Sequence, residues 1–378
     1  MAFWSLVFAI AAAQAVLLAL ALWRRPVNAG SNRVLAVWIG LIGFDLAVKA
    51  AWFHGPSATL FRPYRLAQLF PFFYGSFFYL YVRTLTQARG FVRRDALHLL
   101  PFALVLLLNL EVLLMPRAEV EALLARLAAG GRWPQSPRLD IALYMAGVSY
   151  VVAGLVVVRG YRRRLLQRRS DADRMSLHWI DVMAASQIVI WCIALAQWQF
   201  RIPWIDFPLI YGAVAAWVFA VGYLSLAQAP VLANEPAQAV RDVMVDDAPG
   251  TEDPRFPEVE ARLAQLMARE RLHREPALTI GEVARRSGYP EYLVSAVINR
   301  RFEGNFWAYV NRHRIEDARA CLADPGDART VLDIAYACGF TSKSTFNAAF
   351  KRETGETPTA YRARCATADA AAARTPPG

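Results

Sequence analysis

Seven apolar stretches, each close to the length of a bilayer span, fill most of the first 226 positions: 3–23, 34–53, 66–82, 96–115, 141–158, 182–200 and 207–226. About 20 helical residues cross the hydrocarbon core of a membrane. Lipid offers no partner for an unpaired backbone amide, so chains of this kind are restricted to closed helical bundles or barrels. Runs this long select the bundle. Pro71 interrupts the third stretch and Arg83 follows it directly, which makes it the weakest of the seven. No positive residue precedes the first stretch, and its apolar run is too long for a signal peptide, so an uncleaved anchor is expected. Mean hydropathy is +0.26 for the whole chain even though the C-terminal third is polar, which places the excess apolar content in the N-terminal part.

The net charge of +11 is unevenly spread. With the N-terminus outside, the inner loops would hold Arg24, Arg25 and Arg33, then Arg83, Arg89, Arg93 and Arg94, then Arg159, Arg162, Arg163, Arg164, Arg168, Arg169 and Arg174. The outer loops would hold half as many: Arg62, Arg65, Arg117, Arg126, Arg132, Arg138 and Arg201. The positive-inside bias therefore favours an outside N-terminus, and seven crossings put everything after Leu226 in the cytoplasm. Prolines and a surplus of acids (Glu235, Asp242, Asp246, Asp247, Glu252, Asp253) then mark a solvated spacer at 227–254.

In the polar third one pattern is written twice. Thr279-Ile280-Gly281-Glu282-Val283-Ala284 leads to Gly288-Tyr289, and Thr330-Val331-Leu332-Asp333-Ile334-Ala335 leads to Gly339-Phe340. Each copy opens like a capping box, Thr279 with Glu282 and Thr330 with Asp333. Each turns at a glycine where a tight helix-to-helix turn requires positive φ. Two helix-turn-helix units follow from this, with recognition helices near 291–301 and 343–353. Between them 306–322 reads as one helix with Phe306, Val310, Ile315, Ala318 and Leu322 facing inward. Such a helix would fix the separation of two readers, so that both enter successive major grooves. Thr357-Pro358 opens a last short helix through Tyr361.

These residues resemble the AraC/XylS transcription regulators. The resemblance rests on Gly339-Phe340, Phe346, Phe350-Lys351, Gly355, Thr357-Pro358 and Tyr361-Arg362, and in the first half on Tyr292, Ser295, Ile298-Asn299, Asn305-Phe306, Asn311 and Arg314-Ile315. It covers roughly 255–365. It implies base reading by Tyr292, Ser295 and Ala296 on the first recognition helix. On the second it implies Ser344, Thr345 and Ala348, with Lys343 and Asn347 beside them. Arginine gripping guanine is the commonest specific contact, and alanine cannot make it. Two alternatives stay open: Ala296 and Ala348 touch thymine methyls, or Asn299 and Asn347 take over the reading. Arg300, Arg301, Lys351 and Arg352 are assigned to phosphates, which position a protein without specifying sequence. The membrane half is similar to the seven-helix sensor modules of some family members.

Within the apolar part, Asp45 and Lys49 stand one helical turn apart. They form either a self-compensating ion pair or a ligand contact. The aromatic third stretch, with Tyr74 and Tyr79, would either pack between helices or bind a ring-containing signal. Glu111 and Asp206 are the other acids near the spans. Five scattered histidines, and no HExxH, Walker or Gly-x-Ser-x-Gly pattern, argue against catalysis. Four cysteines without metal spacing argue against a metal site or a disulfide framework. No cofactor is expected.

The expected fold class is all-α: a seven-transmembrane helix bundle followed by a cytosolic double helix-turn-helix domain. Its parts would be a sensor over 1–226, a flexible acidic linker over 227–254, a DNA-binding domain over 255–365 and a disordered tail over 366–378. The expected function is a one-component transcription regulator in the cytoplasmic membrane. Its partners would be double-stranded DNA, the lipid bilayer, an unidentified small-molecule or envelope signal, a second copy of the chain, and RNA polymerase. The alternative is a transporter or channel-like protein with a cytosolic regulatory module. Proteolytic release of a soluble regulator from the linker would be a variant of the first reading.

Overall fold

The computed structural model describes residues 2–87, 91–129, 137–172, 177–200, 207–226, 253–302 and 304–372. The acidic 227–252 stretch, together with Arg89, Arg132, Arg174, Arg201 and Asp206, lies outside them. Among the described residues the chain is helical, with one isolated β-bridge between Arg169 and Thr279. It divides into two compact units. The first comprises 1–159 and 178–234; the second comprises 160–177 and 235–378.

In the first unit, α1 (Ala2–Arg24) and α2 (Ala29–His54) are long and apolar enough to cross a membrane, as are Ile141–Arg168 within α8 (Pro137–Arg168) and His178–Ala196 within α9 (His178–Phe200). The seventh stretch forms α10 (Phe207–Leu226). The third and fourth stretches depart from the expectation of single spans. The third breaks between α3 (Ala58–Ala67) and α4 (Pro71–Gln87), because Pro71 lacks an amide to continue a helix and instead begins one. The fourth breaks into a 3-10 turn (Arg93–Leu99), α5 (Leu100–Leu108) with Pro101 in its first turn, and α6 (Leu110–Leu113), which carries Glu111. A further helix, α7 (Arg117–Ala128), occupies what reads in sequence as an outer loop. Among the described residues, four helices are long and apolar enough to cross a membrane, where seven spans were expected.

The outward faces of this unit are apolar. Phe3, Leu6, Ile10, Leu17 and Leu20 on α1, Leu104, Leu107 and Leu108 on α5, and Met145, Val152 and Val156 on α8 are all exposed. Contiguous apolar surface of this kind suits lipid better than water. Between helices, close approach replaces the hydrophobic drive that lipid removes. At Gly43 a Cβ would come 2.9 Å from the Ala15 Cβ, so α1 and α2 cross with only small side chains between them.

The second unit holds α11 (Phe256–Ala268), a 3-10 turn (Leu272–Arg274), α12 (Ile280–Ser287), α13 (Glu291–Arg301), α14 (Phe306–Ala323), α15 (Val331–Ala337), α16 (Lys343–Thr354) and α17 (Pro358–Ala372). It has two cores. Phe256, Val259, Leu263, Val283, Val294, Val297 and Ile298 fill one; Ile334, Ala335, Phe340, Phe346, Phe350 and Tyr361 fill the other. α14 serves both, with Phe306 and Val310 in the first and Ile315, Ala318 and Leu322 in the second. The last helix runs to Ala372, well past Tyr361 and into the 366–378 stretch read in sequence as a disordered tail. Alanine-rich sequence after Arg364 sustains it.

Candidate nucleic-acid interface

The helix pairs α12–α13 and α15–α16 are each set by their caps. The Thr279 hydroxyl accepts from the Glu282 amide at 3.2 Å, and Thr330 accepts from the Asp333 amide at 3.1 Å. The second box is reciprocal, since the Asp333 carboxylate accepts from the Thr330 amide and hydroxyl. The first is not. The Glu282 carboxylate accepts instead from Arg285 and Arg286, a stronger pairing for a charged group than a neutral amide. Gly288 and Gly339 sit at the turns with φ of 81° and 91°, as the duplicated pattern requires. Tyr289 packs partly against the first core and Phe340 is buried in the second.

α13 and α16 each bury one face and expose the other. On α13, Leu293, Val294, Val297 and Ile298 point into the core, while Tyr292, Asn299, Arg300 and Arg301 are exposed and Ala296 is half-buried. On α16, Phe346, Ala349 and Phe350 are buried; Lys343, Ser344, Ala348, Lys351 and Arg352 are exposed, with Asn347 half-buried. Lys343, Asn347 and Lys351 follow one another at four-residue spacing, and so share one helix face. That places amide and ammonium donors on the same outward stripe.

Two residues that the resemblance assigns to base reading are buried. Ser295 is only 8% exposed and Thr345 9%. Thr345 works locally: its amide donates to the Ser342 hydroxyl, which in turn donates to the Thr345 Oγ1 at 2.9 Å, capping α16. The reason is helical phase. Position 345 adjoins Phe346 and precedes Ala349 by one turn, so it falls at the edge of the buried face.

Several basic residues already have partners. Arg255 pairs with Asp253 at 2.7 Å and donates to the Tyr292 hydroxyl at 3.2 Å. Arg300 lies over the Phe256 ring at 5.7 Å, and Arg352 lies over the Trp307 ring at 4.4 Å. Arg301 approaches Glu260 at 3.7 Å. These contacts aim guanidinium groups along the rim of each helix and keep them part-exposed, which fits phosphate contacts better than base reading.

Behind the reading face lies Arg314, 1% exposed, midway along α14 between the two cores. Its Nε donates to the His273 carbonyl at 2.6 Å, Nη1 to Asn311 Oδ1 at 3.3 Å, and Nη2 to the Glu275 carbonyl at 2.8 Å and the Ser170 hydroxyl at 3.0 Å. Burial pulls its guanidinium down to about 10, with Asp171 opposing the shift. Sequence reading placed Arg314 only by resemblance. Nothing in a linear pattern could show its partner Ser170, which lies 144 positions away.

In the first unit, Asp45 and Lys49 are buried and ion-paired. The Tyr74 hydroxyl donates to Asp45 Oδ2 at 3.2 Å, and the Lys49 ammonium faces the Tyr211 ring at 4.1 Å. Three of the four sensing candidates therefore meet. Tyr79 belongs elsewhere, against the rings of His98 at 5.0 Å and Tyr150 at 6.1 Å. No group of ligands suited to a metal ion occurs among the described residues.

A family model described as a helix-turn-helix domain matches residues 283–364. The regulatory protein SoxS of Salmonella typhimurium is 30% identical over 92 residues, covering 24% of this chain and 84% of that protein. The probable transcription factor PqrA of Proteus vulgaris is 30% identical over 92 residues, covering 24% of this chain and 73% of its own. The right origin-binding protein of Escherichia coli is 30% identical over 90 residues, 24% of this chain, and the match spans only 30% of that relative's length. No solved structure matches.

Proposed function

The chain belongs to the AraC/XylS family of transcription regulators, and from that premise we propose that it is a membrane-embedded one-component regulator whose second unit reads specific DNA. As a member of that family it is a DNA-binding regulator and not an enzyme. The observation that carries the proposal is the pair of outward recognition helices, α13 and α16, each following a glycine turn and joined by one helix that feeds both cores. Lys343, Asn347, Ala348 and Ser344 on α16, and Tyr292, Asn299 and Ala296 on α13, supply the reading face; Arg300, Arg301, Lys351 and Arg352 supply phosphate contacts. Ser295 and Thr345 act as supports beneath it.

The apolar first unit holds the protein in the cytoplasmic membrane, with the reader inside the cell and the bundle responding to a signal in or beyond the bilayer. The lipid-compatible faces of α1, α5 and α8 support this reading, as does the buried Asp45–Lys49–Tyr74 group, since buried ionisable groups among apolar helices are costly and mark functional sites. Any signal must favour one arrangement over another to regulate anything. A second copy of the chain, at paired DNA sites, and contact with RNA polymerase complete the proposal.

The test is genome-wide crosslinking of the full-length protein in its own cells, with recovery of the bound DNA. A few sharp peaks sharing a motif are expected, and the double variant K343A/N347A should lose them while keeping its membrane fraction. Unchanged peaks in that variant would sink the assignment of the reading face.

A further inference from the structure

The loop between α8 and α9 contributes residues to the DNA-reading unit, although in sequence it lies among apolar helices. Ser170 donates its amide to the Leu278 carbonyl at 3.0 Å, and Arg169 pairs antiparallel with Thr279. The Ser170 hydroxyl accepts from Arg314 at 3.0 Å. Ser170, Asp171 and Ala172 are buried there, and Arg169 folds back on Asp171 at 2.8 Å. Asp171 also supplies a negative charge that offsets part of the cost of burying the Arg314 guanidinium.

We propose that the 169–171 segment is a built-in ligand of the reader: a reversible clasp that occupies the edge at Leu278–Thr279 and the Arg314 site, and holds the reader back from DNA while it is seated. This rests on the DNA-reading function proposed above. The docking points matter. Thr279 caps the first helix of the first helix-turn-helix, and Arg314 ties the turn before that helix to α14, so the clasp engages the junction of the two halves. It is also weak enough to open, since Arg314 keeps its bonds to the His273 and Glu275 carbonyls when Ser170 leaves. The sign follows from chain connectivity. α8 ends at Arg168, the residue before the clasp, so a seated clasp binds the reader to an apolar helix through a second covalent connection. A reader held through two connections explores a smaller volume than one held through a single connection, and meets fewer DNA sites.

The test uses the full-length protein in native membranes. Arg169→Cys combined with Thr279→Cys sets two thiols across the antiparallel pair, where facing Cα atoms lie about 4.5–5.5 Å apart, within the range a disulfide spans. The two single variants control for pairing with Cys192, Cys321, Cys338 or Cys365 and for loss of the Thr279 cap. Mild oxidation should crosslink the double variant alone and lower its recovery of chromosomal DNA, with reduction restoring it. Ser170→Pro removes both the amide donor and the hydroxyl acceptor, and should raise recovery by about tenfold, as expected for a reader free only about a tenth of the time. A double variant that stays uncrosslinked, or a Ser170→Pro protein that recovers no more DNA than its parent, overturns the clasp. Crosslinking with no DNA recovered from any variant overturns its regulatory role through failure of DNA reading itself, and the closed thiol pair distinguishes that case.

Discussion

Gly288 and Gly339 occupy equivalent turns, yet alanine should cost very different amounts at the two. Both have left-handed backbones, φ of 81° and 91°, which cost an L-residue about 1–2 kcal/mol. At Gly288 a Cβ would meet nothing within 4 Å. At Gly339 it would lie 2.7 Å from the Arg274 carbonyl oxygen and 2.8 Å from that of His273. Those are backbone atoms, so no rotamer change relieves the clash. The 272–274 turn must move, and the His273 carbonyl that accepts from Arg314 moves with it. Overpacking of this kind adds about 1–3 kcal/mol. Gly288→Ala should therefore cost about 1–2 kcal/mol and Gly339→Ala about 2–5 kcal/mol. Brief proteolysis of membranes in rising urea, with the C-terminal unit followed by immunoblot, reports the folded fraction. With a slope of about 2 kcal/mol per molar urea, the midpoints should fall by about 0.5–1 M and about 1–2.5 M respectively. Equal shifts, or a larger one at Gly288, would refute the argument from backbone contact.

Three further outcomes are expected. Asp45→Asn or Lys49→Met alone leaves a buried charge unpaired and should destabilise the bundle by about 3–5 kcal/mol, whereas Asp45→Leu with Lys49→Met should be nearly neutral, as read by thermal aggregation of the purified full chain. A double variant as unstable as the singles would mean the pair does more than compensate itself. Cys338 is buried, and desolvation pushes its thiol up to about 12, so native protein should take maleimide at Cys321 or Cys365 while Cys338 reacts only on unfolding; mass mapping of the modified peptides decides it. Burial alone would raise the Asp317 carboxyl, but hydrogen bonds from His273 and Arg274 outweigh it and hold it below the usual range. A depressed carboxyl stabilises above the unfolded value of about 3.9 and loses that contribution as pH falls through its folded value. The reader's stability should therefore drop below about pH 4, and Asp317→Asn should flatten that drop; an identical acid profile in the variant would count against it.

What could be read in advance, and what could not, divides along the range of the interactions involved. Caps, glycine turns and the inward face of α14 are decided within a turn or two of helix, so Thr330–Asp333, Gly288, Gly339 and the Phe306–Leu322 stripe were all legible. The same local logic failed where two partners competed for one group. Glu282 has the spacing of a capping box, but two arginines on the next turn outbid a neutral amide for its charge. It failed again at Ser295 and Thr345, because resemblance assigns a position and helical phase decides whether that position faces out. In the bundle, hydropathy reports length without continuity. Pro71 and Pro101 divide apolar stretches that a sliding window joins, and so leave fewer long helices than apolar runs.

The least legible contacts are the ones that link distant chain segments through polar groups. Asp45 and Lys49 advertised themselves by spacing, but Tyr74 and Tyr211, which close the group, did not. Arg314 is the sharper case. A guanidinium carries five N–H donors in a fixed fork and must find acceptors wherever it is buried. Carbonyls of the preceding turn supply two, and Asn311 on its own helix supplies a third. A fourth acceptor is Ser170, from a loop that charge alone had marked as a basic cytoplasmic connector. Arginines in such a loop would count toward orientation by number alone, which any basic loop can do; its serine and aspartate meet a particular buried cation. On that difference rests the clasp proposed for the 169–171 segment.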